Sequence, residues 1–588
     1  MKRITPWFVG TLLSTLLLAG LAIFAGLRYA GTGDALILKL FAGYQGGVPA
    51  YYHAQLHTAL AWLLCGLHTL IPTIAWFSVI QLLCLWLSGA ILVKSMTQCA
   101  LHHKLPWWVG TALGGLLLLS FALFAMCRVS HTATAALLGM AAVAQCFSLD
   151  FSHTTDRQVL AKLAPSIGLL LAAYCFNQEA GLAALSFWLL LALAVRLTSY
   201  SHKEIATKGT KARHGFRGLL LAVCLCLFCF LLFAAIRAME LNAMGDYAAW
   251  QHAWGRLSQN PGFPNRVDGA MLETLGWTPN KLRLIADGFL YDTEITAESL
   301  LQCDALLNAG TGMGRGATLG MQAKNALTAM ALAQGDMLPV AVVPLGFMLL
   351  CLIKAATRHG RKLCAWILPI AAVLLGVLWL GVLGQTGLQH AHSWVALAPL
   401  AALLCGSFLR NLAPAQAEEQ ANKAESPMRQ GLAWAMLCLT CVAFTLPCLV
   451  SNVRGIARLP IHAQSAAFEQ QLESYALENP EQLIFYQPSH AKDTRMFPDL
   501  SNVPHNIVLP DVRNARTPGL TNQMEQFQID ANRMTMRDLL KKQVRVAGTD
   551  KGPWRTLLPY AQESEKGTLN WARLERKGDV CLYLLCKR

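Results

Sequence analysis

Charge is scarce in this sequence. Only 14% of its 588 residues are Asp, Glu, Lys or Arg, against roughly 25% in soluble proteins. With 55% apolar residues and a mean hydropathy of +0.41, one water-facing domain could not hide so much apolar surface. Acids are the scarcer sign, 33 against 48 Lys and Arg, which leaves a formal net charge of +15. That balance would suit nucleic acid, but the Lys and Arg sit in short loops between apolar runs, where they anchor and orient helices. No nucleic-acid partner is expected. Zinc-ligand spacing is also missing. Most cysteines fall in or beside apolar runs, where Cys is a small hydrophobe. Cys224, Cys226 and Cys229 cluster with no His or second Cys pair at zinc spacing. Cys581 and Cys586 are an odd number of residues apart, so on a strand they face opposite sides and should not bridge. There is no internal repeat of about 20–50 residues and no convincing cleavage site after the first apolar run, which reads as a signal anchor.

What the chain has is long apolar runs. They predict a polytopic α-helical membrane protein of about eleven transmembrane helices. The spans run approximately Trp7–Ala30, Thr73–Val93, Trp107–Met126, Thr132–Phe147, Leu163–Phe176, Ala180–Val195, Phe216–Ile236, Met337–Ile353, Leu363–Leu383, Trp394–Leu409 and Leu432–Ser451. A twelfth stretch, Leu56–Ile71, decides the topology. If it lies along the surface, the start at Lys2-Arg3 and five basic loops share one side. These loops are Lys94–Lys104, Arg157–Lys162, His202–Arg217, Lys354–Lys362 and Arg410–Arg429. The positive-inside rule puts that side in the cytoplasm. Leu56–Ile71 is therefore expected to be an interfacial helix. The expected organisation is a bundle over residues 1–452, with an outer loop and interfacial helix at 31–72 and a large outer loop at 238–335. A C-terminal extracytoplasmic α/β domain follows at 453–588. In that domain a helix is expected near Phe468–Leu477, strands near Leu483–Tyr486, Asn506–Leu509 and Asp579–Leu585, and a polar helix near Met534–Gln543. The localisation this implies is the cell membrane, multi-pass, with a cytoplasmic N-terminus.

Polar residues that could do chemistry collect at the outer helix ends. Asp34 follows the first span. Tyr51, Tyr52, His53 and His57 precede the interfacial helix. Arg128 and His131 lie between the third and fourth spans, Asn177, Gln178 and Glu179 between the fifth and sixth, and Gln385, Gln389, His390 and His392 between the ninth and tenth. Ionisable groups near membrane depth are costly and mark working sites. A carboxylate could take a proton from an acceptor hydroxyl, and Arg and His could hold phosphate oxygens. Each also has a plain structural role open to it. Asp34 could cap a helix over Ala35–Gly43, Arg128 could snorkel, and His131 could bond a neighbouring helix. Glu179 could pair with Arg128, and His390 and His392 could be ordinary interface residues.

One span, an outer acid, Gly47-Val48-Pro49, His53, the apolar helix Leu56–Ile71, Pro72 and Trp76-Phe77 together resemble the GT-C superfamily of membrane glycosyltransferases. Leu275-Gly276-Trp277-Thr278-Pro279-Asn280 and Tyr475–Tyr486 are similar to bacterial members of that group. The resemblance implies transfer of a sugar from a polyprenyl-phosphate-linked donor, with membrane lipids and a cell-envelope acceptor as partners. An acid in the first outer loop acts there as base or metal ligand, and only Asp34 matches. Many members carry two acids at that place, whereas Gly33 stands beside Asp34 here. A divalent cation is thus open and no cofactor is assigned. On this reading Asp34 is the base, Arg128, His131 and His392 bind donor phosphate, and His53 orients the acceptor or Asp34. His57 and Glu179 lie with them as substrate-side residues. Two other functions are weighed. A transporter calls for broken helices and polar groups at mid-membrane, and the span interiors are nearly free of charge. A non-catalytic envelope protein displaying its outer domain is the third.

Overall fold

The computed structural model describes residues 5–49, 53, 55–148, 155–200, 211–258, 260, 262–310, 338–357, 362–384, 390–412, 427–458, 463–490, 493–509, 517–531 and 533–587. Tyr51, Tyr52, Gln385 and Gln389 lie outside them, as do much of the basic loops and of the stretch at 311–337.

Among the described residues, seven helices are long and apolar enough to cross a membrane: Pro6–Phe24, Trp76–His102, Trp107–Cys127, Asp156–Phe176, Arg217–Ala243, Trp394–Leu412 and Leu439–Ala457. Four shorter apolar helices, His131–Phe147, Gln178–Ala194, Val340–Lys354 and Ile367–Leu380, coincide with the other expected spans. We label the helices used below α1 (Pro6–Phe24), α2 (Thr32–Phe41), α3 (Thr58–Leu70), α4 (Trp76–His102), α5 (Trp107–Leu117), α6 (Leu123–Cys127), α7 (His131–Phe147), α8 (Asp156–Phe176), α9 (Gln178–Tyr200) and α10 (Lys211–Ala243). Further along the bundle, Leu338–Thr357, Lys362–Gly384, His390–Leu412 and Pro427–Arg458 are helical.

Close backbone approach holds the bundle. A Cβ on Gly10 would stand 2.3 Å from the Ala90 carbonyl oxygen, and one on Gly110 2.3 Å from that of Met96. Both faces of α4 therefore depend on a missing side chain, as small-residue packing in lipid requires. α5 and α6 form one rod interrupted by a π turn at Leu118–Ala122. A wide turn loosens its carbonyls, and the buried Asn452 amide donates to that of Ser120 at 2.7 Å.

α3 has thirteen residues, short of the roughly 20 needed to span. Leu60, Ala61, Leu64 and His68 are buried on one face, and Trp62, Leu63 and Leu70 are exposed on the other. That is the pattern of a helix lying at an interface.

The two polar regions, far apart in sequence, build one core. Asp246–Ser258, Gly269–Leu275, Pro279–Ala286 and Ala297–Gly310 are helices of the large loop. Trp250, Phe289, Tyr291 and Leu300 pack with Phe485, Val508, Trp554 and Tyr560 of the C-terminal part. The Phe289 and Trp554 rings lie 5.1 Å apart.

The C-terminal part carries a five-stranded mixed sheet. β3 (Leu483–Tyr486), β4 (Ile507–Val508), β5 (Val544–Gly548), β6 (Leu569–Lys577) and β7 (Val580–Lys587) run in the order β4-β3-β5-β7-β6. β3 is parallel to both neighbours, and β7 antiparallel to both of its own. Every β3 side chain is buried. Leu483 and Phe485 enter the core shared with the large loop, while Ile484 and Tyr486 pack on helix Ala463–Glu478. That split is the two-residue period of a strand covered on both faces.

Both stretches similar to the glycosyltransferases have local structural causes. In Leu275–Asn280, Gly276 at φ +62° ends one helix in the left-handed region. Thr278 then caps the next, its hydroxyl accepting from the Lys281 N–H, with Pro279 at the first turn. In Tyr475–Tyr486 the buried Asn506 amide donates to the carbonyls of Ala476, Asn479 and Gln482 at 3.1, 2.9 and 2.8 Å. The polar helix expected near Met534–Gln543 is only a 3₁₀ turn, Met536–Leu540, and an α-helix stands instead at Pro518–Gln526. Thr517 caps that helix and Pro518 opens it.

Candidate active site

Asp34 lies in the first turn of α2, whose N-cap is Gly31. It does not cap its own helix. Its Oδ1 accepts from the backbone N–H of His131 at 2.9 Å and from Nδ1 of the same residue at 2.9 Å. Gln81 Nε2 of α4 donates more weakly at 3.4 Å. One carboxylate oxygen thus joins α2 to the N-terminus of α7, where an anion is favoured. Among the described residues Oδ2 has no hydrogen-bond partner, and it is not sealed from solvent. One oxygen holds the scaffold, and the other is unengaged among those residues. With its Nδ1 proton on Asp34, the His131 ring keeps Nε2 as its second polar atom.

Arg128 lies three residues before His131, so their Cα atoms are within about 10 Å. It forms β2 (Arg128–Val129), which pairs in parallel with β1 (Arg28–Tyr29). Arg28 and Arg128 are directly in register, on strands about 4.8 Å apart. Arg128 is 8% exposed, too buried to snorkel, and its one hydrogen-bond acceptor among the described residues is the Cys127 carbonyl at a long 3.4 Å. Burial, together with the charge of Arg28, lowers its pKa, against a smaller raising effect of Cys127. Among the described residues neither guanidinium has a carboxylate partner. Arg128 and Glu179 form no ion pair. Two unneutralised like charges side by side are unfavourable, and an anion between them would relieve the repulsion.

The same ribbon receives the C-terminal part. Arg28 bridges Arg495, and the Tyr29 N–H donates to the Thr494 carbonyl at 2.9 Å. The Tyr29 hydroxyl meets Ser78 at 2.6 Å, and Ser78 in turn donates to the Met496 carbonyl. Five residues beyond Asp34 on α2, Lys39 is 3% exposed. It pairs with Glu473 at 2.8 Å, Glu469 at 3.2 Å and Asp493 at 3.7 Å. Tyr44 and Tyr486 donate to Glu473 and Glu469, and Arg495 grips Asp493 with two bonds, at 3.0 and 2.7 Å. Burial alone would lower the Lys39 pKa. Glu469 and Glu473 more than reverse that and hold it well above the usual lysine range.

The other expected residues fall into two groups. His53 is wholly buried, its Nδ1 accepting from the Gln55 N–H at 3.2 Å and its carbonyl from Arg237 at 3.2 Å. Both nitrogens of His57 are engaged. Nδ1 accepts from the Ala59 N–H at 3.1 Å, capping α3, and Nε2 donates to the Phe233 carbonyl at 2.9 Å. Burial, aided by Arg237, lowers its pKa against the pull of the Phe233 carbonyl. His57→Ala should therefore lower stability by about 1–2 kcal/mol through the lost cap, read as thermal unfolding in detergent. A loss of ligand binding at unchanged stability would put the ring in the site instead. Arg237 pairs with Glu240 at 2.8 Å, and Thr58 donates to the same Glu240 carboxylate. Glu179 is half-buried at the start of α9, next to Asn177, whose amide reaches Thr132 Oγ1 at 3.5 Å. The His392 and His390 side chains lie outside the described residues.

Sequence reasoning passed over Arg28, Lys39 and Arg237. The signal was there. All three are basic residues at helix ends assigned to the side that positive charge avoids. As for a metal, no group of three or more His, Cys, Asp or Glu among the described residues is placed to hold one. Asp34 and His131 alone are fewer than such a group, and no step below uses a cation.

No family model and no curated protein matches the chain. Among solved structures it is similar to the crystal structure of ArnT from Cupriavidus metallidurans bound to undecaprenyl phosphate. The likeness covers 99% of this chain and 98% of that one, at 12% identity and a TM-score of 0.36. At that distance no residue is carried from one chain to the other.

Proposed function

We propose that this protein is a membrane glycosyltransferase that moves a sugar from a polyprenyl-phosphate-linked donor to a cell-envelope acceptor on the outer face of the membrane. The observation that carries the proposal is Asp34. It is a carboxylate with one oxygen fixed by His131 and the other without a partner among the described residues, and Arg28, just before it in the chain, pairs in register with Arg128, neither arginine having a carboxylate partner among those residues.

The chemistry follows from that arrangement. An acceptor hydroxyl gives its proton to Asp34 Oδ2. Its oxygen attacks the anomeric carbon of the donor sugar, and the bond from that carbon to the phosphate oxygen breaks. Polyprenyl phosphate leaves with an added negative charge. Arg28 and Arg128 stabilise that charge as it develops, in a setting where their own repulsion is relieved. The His131 N–H and ring hold Asp34 in place, so little reorganisation accompanies proton transfer. The orientation rests on the basic loops of the sequence, which the positive-inside rule assigns to the side opposite Asp34. His57, His53 and Arg237 support the loop that leads into α3.

The test is turnover by the purified full chain in detergent with a mixed pool of polyprenyl-phosphate sugars, following release of polyprenyl phosphate. Release is expected. Intact protein that releases none from any donor would favour a non-catalytic envelope protein.

A further inference from the structure

The bundle holds a cavity at the end away from Asp34, lined by apolar and basic residues. It has a volume of about 690 Å³ and is partly open. Four helices line it: α1 with Trp7, α4 with Lys94, Gln98 and His102, α7 with Gln145, and α8 with Lys162. Both α4 and α7 begin at the Asp34 site, at Gln81 and His131. Lys94 and Gln145 lie thirteen and fourteen residues further on, so the cavity is about 20 Å away along the helix axes. It is separate from the site already described.

Its donors suit one class of ligand. Among the described residues no carboxylate lines it. Lys94 has no acidic partner among the described residues, and its ammonium stands 4.8 Å from the ring centre of Trp7. Gln145 is only 6% exposed and its Oε1 is sealed off without a partner. The amide edge left for the cavity is the NH₂, which donates to nothing among the described residues. Among those residues, a charge without a counter-ion and a free N–H face one space. The rim is apolar and faces outward, with Trp7 47% and Leu101 45% exposed. Trp beside Lys at a helix end is the signature of headgroup depth, and basic pockets between membrane helices take anionic headgroups.

We propose that this cavity binds a phosphate-bearing anion, the phosphate entering between Lys94, Lys162 and the Gln145 amide, with the apolar rim fitted to a lipid chain. The volume is that of a small-molecule site.

The experiment uses the full chain in neutral detergent and follows thermal unfolding on titration with phosphatidylglycerol, phosphatidylcholine or inorganic phosphate. Wild type, Lys94→Gln, Lys162→Gln and Arg28→Gln/Arg128→Gln are compared. Stabilisation by phosphatidylglycerol beyond phosphatidylcholine is expected, weakened about fivefold for each lysine neutralised and retained in the double arginine variant. If inorganic phosphate stabilises equally well and with the same lysine dependence, the anion is a free phosphate rather than a lipid headgroup. Binding of neither anion, or binding unchanged in both lysine variants, overturns the proposal.

Discussion

Lys39→Met should loosen the C-terminal part from the bundle and destabilise the protein by about 3–5 kcal/mol, the cost of removing one partner from a buried ion cluster. Lys39 is the cation against which Glu469 and Glu473 are buried, and it shares Asp493 with Arg495. Met matches its stem in length and apolar character, so the loss isolates the charge. Carboxylates left without it must take protons or draw water into a space that holds no room for it. The measurements are thermal unfolding and limited proteolysis in detergent, where cleavage should accelerate. A rescue separates charge from packing. Lys39→Met combined with Glu469→Gln and Glu473→Gln removes the uncompensated charge and should recover most of the stability. If Lys39→Met alone unfolds like wild type, the cluster does not hold the two parts together.

Asp34→Asn should abolish most turnover while leaving the fold in place. Asn keeps an oxygen to accept from the His131 N–H, so the junction of α2 and α7 survives. It cannot accept a proton. Loss of a general base lowers the rate by about 10²–10⁴. Because the substitution acts on the step rather than on binding, kcat should fall with KM little changed. Asp34→Ala is the contrasting variant. It also strips the buried His131 N–H of its acceptor, and should cost about 1–3 kcal/mol of stability besides. Full turnover in Asp34→Asn would remove Asp34 from the reaction and leave it as the clasp between two helices.

Much of the architecture was legible because it follows from local pattern. The apolar runs marked the helices, and the side the basic loops share by the positive-inside rule argued that the stretch before Pro72 lies along the surface. β3 was visible as Leu483–Tyr486 and β7 as the final apolar alternation, since a strand writes its period into adjacent residues. The polar helix near Met534 was not found, and the one at Pro518 was missed. Both segments are polar throughout, and caps and turn residues, not periodicity, decide between them. The shared core of the large loop and the C-terminal part was invisible for another reason. Phe289 and Trp554 meet across 265 positions of sequence, a distance no local pattern spans.

The site divides in the same way. Asp34, Arg128 and His131 were singled out as polar residues at helix ends, and the structure brings all three to one place. That Asp34 would bind His131 rather than cap its own helix could not be read, because it depends on how α2 packs on α7. Arg28 escaped notice because it was taken into the end of the first span, Trp7–Ala30; only the pairing of β1 with β2 sets it beside Arg128. Lys39 looked like one polar interruption in an apolar helix. Its partners lie 430 and more residues away.

The central claim is that the end of the bundle carrying Asp34 receives a phosphate on a lipid. The most direct measurement is equilibrium binding of polyprenyl phosphate itself, without sugar, to wild type and to Arg28→Gln/Arg128→Gln. Each charge-assisted bond to phosphate is worth about 1.5–3 kcal/mol. Saturable binding by wild type, weakened about a hundredfold or more in the double variant at unchanged unfolding temperature, is the expected result. Equal binding by both proteins would contradict the account, because the phosphate would then rest somewhere other than on the paired arginines beside Asp34.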